Sequence, residues 1–135
     1  MNAVPTIEID GFGVPGTEQI QQIGDSLRKW GFVCLTGHGI SASLLNDAYT
    51  VAREVFALST DVKEGYEDQE GGRQRGYTPF LAERAKGQQE GDLKEFWHIG
   101  RELAEDHPNR QTGLMRGNLF PVEVPVFESV MLEFY

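Results

Sequence analysis

Cysteine is almost absent from this chain of 135 residues, in which Cys34 is the only one. A single thiol excludes a disulfide within the chain, and with it the disulfide frameworks of small secreted domains. Cys34 lies in the apolar run Phe32–Leu35, where a small side chain is typical of a core position. We therefore predict a buried strand, a buried thiol and a reducing, cytoplasmic location. A catalytic cysteine is the less favoured alternative.

Long apolar stretches and basic residues are also scarce. No run approaches the ~20 residues that cross a bilayer, and Met1–Pro5 lacks the basic and then apolar order of a signal peptide. The 12 basic residues face 21 acidic ones, which gives a net charge of -9. Because such a surface repels phosphate backbones, we expect no nucleic acid partner, and we expect no membrane partner either.

The remaining patterns predict one soluble domain with a mixed α/β fold. Thr6–Asp10 alternates as a strand does, and 17–30 has one apolar helical face, with Thr17 as its cap and Gly31 at its end. A second helix starts at Ser41 or Ser43 and runs to about Leu58. The later predicted elements are a short helical turn within 59–66, a flexible basic loop over 71–76, an extended start at 77–80, a strand over 93–99, an irregular polar stretch over 104–118 and a third helix from Pro125.

The third helix has an apolar face without a stop signal. That face comprises Phe127, Val130, Met131 and Phe134, and neither glycine nor a polar tail follows before Tyr135. We therefore expect the chain to be the N-terminal part of a longer one. Left alone, this face would be exposed to a partner.

The spacing of Glu95 and His98 raises the possibility of a metal site, because Glu-x-x-His on a helix is a ligand pattern of carboxylate-bridged iron proteins. However, Leu93–Ile99 is short, aromatic and bounded by glycines, which favours a strand. Residues three apart in a strand point to opposite faces. We therefore predict that Glu95 and His98 share no metal ion.

The other histidines are not spaced as metal ligands either. His38 lies between two glycines after a strand, so we predict a turn histidine that bonds to nearby backbone, with a catalytic role as the alternative. His107 precedes Pro108 in a polar stretch, and we predict that it is solvated.

Nucleotide and hydrolase motifs are incomplete or missing. The third glycine of a dinucleotide fingerprint is absent after Gly11 and Gly13, and no Gly-x-Ser-x-Gly elbow occurs. Arg73 and Arg75 precede Tyr77, and together they would suit an anionic substrate group. The alternative for this segment is a solvated loop.

Six segments in order resemble the N-terminal region of the isopenicillin N synthase-like non-haem iron, 2-oxoglutarate-dependent oxygenases, in particular their bacterial branch. These segments are "VPTIEID", "LRKWGFVCLTGHGI", "VFALSTDVKEGY", "RGYTPF", "DLKEFWHIGRE" and "NLFPVEVPVFESVMLEFY". The second is the most specific, with a helix that ends in Trp-Gly-Phe, a buried strand and a His-Gly-Ile turn.

The resemblance implies a jelly-roll (double-stranded β-helix) core against which helices and short strands of this region pack. It also implies Fe(II) on a His-x-Asp/Glu…His set, with 2-oxoglutarate held by an Arg-x-Ser. Neither motif occurs in this chain. Residues 1–135 are therefore expected to form the N-terminal domain, truncated before the catalytic jelly roll, of which they would contain only the beginning.

The resemblance thus implies part of an oxygenase that hydroxylates, desaturates or cyclises a small molecule. This part would supply scaffold and substrate wall, with Arg75, Tyr77 and Trp97 as the wall residues. It would supply no catalytic residue and no metal ligand, and alone it is expected to bind neither Fe(II) nor 2-oxoglutarate. Its partners would be the substrate and the missing C-terminal domain. A free-standing binding or assembly module and a fragment without function remain the alternatives.

Overall fold

The computed structural model describes residues 3–10 and 16–135, and the chain divides into two compact units, 1–42 and 43–135. Their short strands and longer helices confirm the predicted mixed α/β class. The glycine- and proline-rich stretch 11–16, for which the sequence predicts a turn, lies outside the described residues except for Gly16. No helix in the described part of the chain has the length and apolar character needed to cross a bilayer.

The first unit is a strand–helix–strand arrangement. Strand β1 (Thr6–Glu8) pairs in parallel with β2 (Cys34–Thr36), and helix α1 (Thr17–Trp30) connects them and packs mainly against β1. The prediction for α1 is confirmed in extent, but its N-cap is Gly16 instead of Thr17. Gly31 ends the helix in the left-handed conformation, with φ of 73°, which a glycine adopts without steric cost.

The strand predicted at 32–35 forms at Cys34–Thr36, but the prediction that this strand and its thiol are buried is wrong. All three residues of β2 are exposed, Cys34 among them, and Phe32 is 72% exposed. The physical reason is that burial needs a second layer. Within the first unit α1 packs mainly against β1, so the apolar side chains around β2 remain without cover.

The second unit packs helices around a small antiparallel sheet. Helix α2 (Ala42–Phe56) begins at its boundary, and β3 (Gly76–Thr78) pairs with β4 (Phe96–His98). The strand predicted over 93–99 is thereby confirmed for Phe96–His98 only. The helices α3 (Thr60–Glu64), α4 (Pro108–Gln111) and α5 (Val126–Phe134) complete the unit. Its core is formed by Val51, Val55, Val124 and Phe127, with Leu58, Trp97, Ile99, Phe120, Val130 and Met131 packed around them.

Two further predictions need correction in this unit. His107 is not solvated: it is partly buried and caps α4, where its Nδ1 accepts a hydrogen bond from the Asn109 amide at 3.2 Å. The apolar face of α5 is not freely exposed either, because Phe127 retains only 2% of its surface. The physical reason is that α2 supplies Val51 and Val55, against which that face packs.

Candidate functional site

Two of the three predicted wall residues lie side by side on the neighbouring strands β3 and β4. Tyr77 and Trp97 are direct partners in the antiparallel register, and their ring centroids lie 6.0 Å apart. Tyr77 is 1% exposed, whereas Trp97 is only partly buried. The sheet therefore places an aromatic pair with Tyr77 inside the core and Trp97 at its edge.

Trp97 is held from several directions. Its indole Nε1 donates to the Leu119 carbonyl at 2.8 Å, and its ring centroid lies 5.6 Å from that of Tyr66 and 5.8 Å from that of Phe127. Such contacts fix the ring in one orientation. An open groove of about 370 Å³ adjoins it and is lined by Trp97, Ile99, Met131, Phe134 and Tyr135.

A polar network that sequence reasoning missed lies beside this pair. Lys63 Nζ donates to Glu95 Oε2 at 2.7 Å and to the Phe56 carbonyl at 3.1 Å, and the Tyr77 hydroxyl donates to the same Glu95 oxygen at 2.6 Å. Burial, and then the hydrogen bond and the charge of Glu95, raise the pKa of Tyr77 far above its usual range. The Tyr77 hydroxyl is therefore a neutral donor whose role is to hold the carboxylate.

Arg73 is already neutralised and does not join Arg75 as a free cation. Its Nε forms an ion pair with Glu67. Although burial acts to raise the pKa of Glu67, hydrogen bonds from Gln69 and Arg73 and the charge of Arg73 bring it below its usual value. The anion site with two arginines that the sequence offered as one alternative is thus reduced to Arg75.

Arg75 lies against the backbone of Gly100. A Cβ at position 100 would stand 2.3 Å from Arg75 Nη2, so the guanidinium occupies space that a side chain would fill. Gly100 is held in turn by Asn118, whose Oδ1 accepts from the Gly100 amide and whose Nδ2 donates to the Gly100 carbonyl, each at 2.8 Å. Nothing in the sequence pattern pointed to Gly100 or Asn118.

The histidines have other partners than a metal ion. His98 Nδ1 lies 2.7 Å from the Arg73 carbonyl, while Glu95 is bound to Lys63 and Tyr77. His38 Nδ1 accepts from the Ile40 amide at 3.1 Å, which confirms the predicted turn histidine. Among residues 3–10 and 16–135, no group of three or more His, Cys, Asp or Glu side chains is placed to hold a metal ion. The described residues therefore do not fit an iron site.

The chain is similar to known proteins in both sequence and fold. The family described as "non-haem dioxygenase in morphine synthesis N-terminal" matches residues 4–123. A probable iron/ascorbate oxidoreductase of Dictyostelium discoideum is 30% identical over 127 residues, which cover 87% of this chain and 34% of that protein. A 2-oxoglutarate-dependent dioxygenase of Aspergillus niger is 28% identical over 128 residues, which cover 90% of this chain and 38% of that protein.

A solved structure extends the similarity to the fold. It is a crystal structure of a protein assigned to the 2OG-Fe(II) oxygenase family from Caulobacter crescentus, with a TM-score of 0.76 and 33% identity. The match covers 100% of this chain and 43% of the Caulobacter chain. This chain thus spans about a third of the curated relatives and less than half of the solved one.

Proposed function

The chain belongs to the family of non-haem dioxygenase N-terminal regions, and from that premise we propose that it is the N-terminal portion of an Fe(II)/2-oxoglutarate-dependent oxygenase of a small molecule. In this proposal residues 1–135 supply scaffold and part of the substrate wall. They would contain only the beginning of the jelly-roll core, and a further domain would complete it. The observation that carries the proposal is the family match over 4–123, combined with coverage of only part of each relative.

The wall role rests on Arg75, Tyr77 and Trp97. Trp97 lines an open apolar groove. Tyr77 is the cross-strand partner of Trp97 and is more deeply buried, and its hydroxyl donates a hydrogen bond to Glu95. We propose that Trp97 contacts substrate, that Tyr77 supports its ring from within, and that Arg75 contributes charge. The aromatic pair would then shape the site without taking part in bond making.

Fe(II) and 2-oxoglutarate would bind to the remainder of the complete enzyme. The described histidines are engaged in caps and backbone contacts, and no step of the reaction is assigned to them. Titration of the 135-residue chain with Fe(II) in an anaerobic calorimeter is expected to give no tight binding at 1:1 stoichiometry. The Caulobacter relative is the matched control, and tight binding by the isolated chain would contradict this assignment.

A second surface supports the need for a further domain. Helices α2 and α5 border an apolar groove of about 230 Å³ lined by Leu45, Ala48, Tyr49, Ala52, Met131 and Phe134. Tyr49 is 61% exposed there. We propose that this face is covered in the complete enzyme. A free-standing assembly module would use the same face for a second copy, so sedimentation of the chain over a concentration series separates the two functions.

A chimera tests the proposed function directly. Residues 1–135 would replace the matched region of the Caulobacter protein. The turnover of 2-oxoglutarate in the absence of substrate would then be measured as the release of succinate. We expect turnover to survive, because the proposal places the iron and co-substrate sites in the retained part. A folded chimera that binds Fe(II) but releases no succinate would overturn the scaffold role.

A further inference from the structure

Several unusual features of the described chain concentrate in one short segment, 73–81. Among residues 3–10 and 16–135, the two non-glycine residues with positive φ are Arg73 at 58° and Leu81 at 66°. In the same part of the chain, the two buried side-chain atoms without a hydrogen-bond partner are Arg75 Nε and Thr78 Oγ1. Backbone strain and unsatisfied polar groups are costly, and they concentrate at functional sites. Strand β3 lies inside this segment, so it is a candidate binding element on physical grounds alone.

Arg75 differs from the other buried or partly buried cations of the described residues. Lys63 pairs with Glu95, Arg73 with Glu67 and Arg110 with Glu102. Arg75 is also partly buried, yet no carboxylate of the described residues lies within 4.0 Å of its guanidinium. The chain has 21 acidic residues against 12 basic ones, so a partly buried arginine without a carboxylate partner is unexpected.

Most of the N–H donors of the Arg75 guanidinium have no acceptor among the described residues. Its Nη1 donates to the Gln74 carbonyl at 2.6 Å, and this is the one hydrogen bond that the group makes with the described residues. Because Nε is buried, a ligand would meet the Nη1 and Nη2 end of the fork. A partly buried cation without a counter-charge is unfavourable, and an anionic ligand removes that cost.

The position of Arg75 is built by other residues. Gly100 leaves the space that the guanidinium occupies, and Asn118 fixes the Gly100 backbone through both its amide and its carbonyl. Asn118 Nδ2 also donates to Glu102 at 2.6 Å, and Glu102 pairs with Arg110 at 2.9 Å. The acid of this network, Glu102, is therefore neutralised by a cation other than Arg75.

We propose that Arg75, positioned by Gly100 and Asn118, binds a carboxylate group of the substrate. The identification of the ligand as the substrate rests on the proposed function. The presence of an anion site at Arg75 does not depend on it. A planar carboxylate matches the guanidinium fork through two parallel hydrogen bonds. A phosphate group offers the same chemistry with tetrahedral geometry, so the test has to separate the two.

The test follows the Nε–H signal of Arg75 by nitrogen-15 NMR in the full 135-residue chain, where burial slows its exchange with water. Acetate, succinate and inorganic phosphate are titrated against sodium chloride of equal ionic strength. We expect a saturable shift of this signal and of the Gly100 amide with the carboxylates, and a smaller one with phosphate. The Arg73 signal is the internal control and is expected to stay in place, because Glu67 already occupies its guanidinium.

Three variants decide the outcome. Arg75→Gln is expected to abolish the shift at the Gly100 amide, and Arg75→Lys to weaken it. Gly100→Ala is expected to abolish the response by displacing the guanidinium. If that variant unfolds, the Arg75→Gln variant decides the outcome, provided that its well-dispersed spectrum shows it to be folded. Shifts no larger than those in chloride, or shifts that persist in Arg75→Gln, would overturn the proposal. A larger response to phosphate would overturn the assignment to a carboxylate. Neither result depends on iron or on succinate release from the chimera.

Discussion

The β1–β2 and β3–β4 sheets are both two-stranded, yet they bury very different amounts of side chain. All three residues of β3 are buried, whereas all three of β2 are exposed. The β3–β4 sheet has Phe127 and Val55 packed near Trp97 and a charged network at Glu95. The β1–β2 sheet has only α1 in its unit, packed mainly against β1.

The difference teaches that an apolar strand is buried by its neighbours and not by its own composition. Parallel strands are normally covered on both faces, and isolated pairs of strands are marginal in water. The residues near β2 are as apolar as a core strand requires, but the unit contains too few layers. The contrast leads to four experiments, of which the first removes cover from the better packed sheet.

Phe127→Ala is expected to have the largest effect. It removes an almost fully buried ring that packs against Trp97 and Phe120, and the loss of contacts plus the cavity should lower the free energy of unfolding by about 4 kcal/mol. Urea unfolding followed by tryptophan fluorescence measures the change. Val126→Ala, one residue earlier and 53% exposed, is the control and should change stability by less than about 0.5 kcal/mol. Equal losses for the two variants would contradict the assigned core.

Lys63→Met comes next, because it leaves the Glu95 carboxylate without its cation. The side chains of Lys63 and Glu95 are 7% and 17% exposed, so we expect a loss of about 3 kcal/mol, near the lower end for a broken buried pair. The double variant Lys63→Met, Glu95→Gln removes both charges but keeps an amide oxygen that accepts from the Tyr77 hydroxyl, so it should recover most of that loss in the same urea experiment. If the double variant is no more stable than the single one, the penalty does not come from an unpaired charge.

Glu67→Gln tests the loop before β3 through its pH dependence. The pKa of Glu67 is lowered in the folded state, so its carboxylate stabilises the fold above the unfolded pKa of 4.5, and that contribution is lost as the pH falls through the folded pKa. We expect the wild type to exceed the variant by about 1 kcal/mol at pH 7, since Arg73 is partly exposed and screened. The gap between the two should close in acid below pH 4.5. A gap independent of pH would show that the charge of Glu67 is not involved.

Leu35→Ala should have the smallest effect and complete the comparison within the β1–β2 sheet. Leu35 is 38% exposed, and we expect its truncation to cost about 0.5 kcal/mol. Its direct ladder partner Ile7 is 5% exposed, so Ile7→Ala should cost about 2 kcal/mol in the same assay. A large loss for Leu35→Ala would mean that β2 is covered in solution, for instance by a second copy.

Local patterns predicted the elements well. The 3.6-residue period placed α1 at Thr17–Trp30 and α2 close to its observed range, and the short aromatic run between glycines located β4. The same strand interpretation separated Glu95 from His98, which have different partners. These features depend on neighbours within a few residues, and such information is present in the sequence.

Contacts between distant segments could not be predicted. Lys63 and Glu95 are 32 residues apart, and Gly100 and Asn118 are 18 apart. No periodicity encodes either pair, because each exists only once the helices and strands have packed. The wrong expectation for Cys34 has the same origin, since its burial depended on a layer that the pattern of 32–35 cannot specify.

The close approach of Arg75 to Gly100 also limits how these two positions can change during evolution. A Cβ at position 100 would fall 2.3 Å from Arg75 Nη2, so a lineage that gains a side chain there must first shorten or redirect the one at position 75. The two sites are therefore expected to vary together across homologous sequences. Arginine at one should accompany glycine at the other, and that pairing would mark lineages that have kept the same charge at this point of the fold.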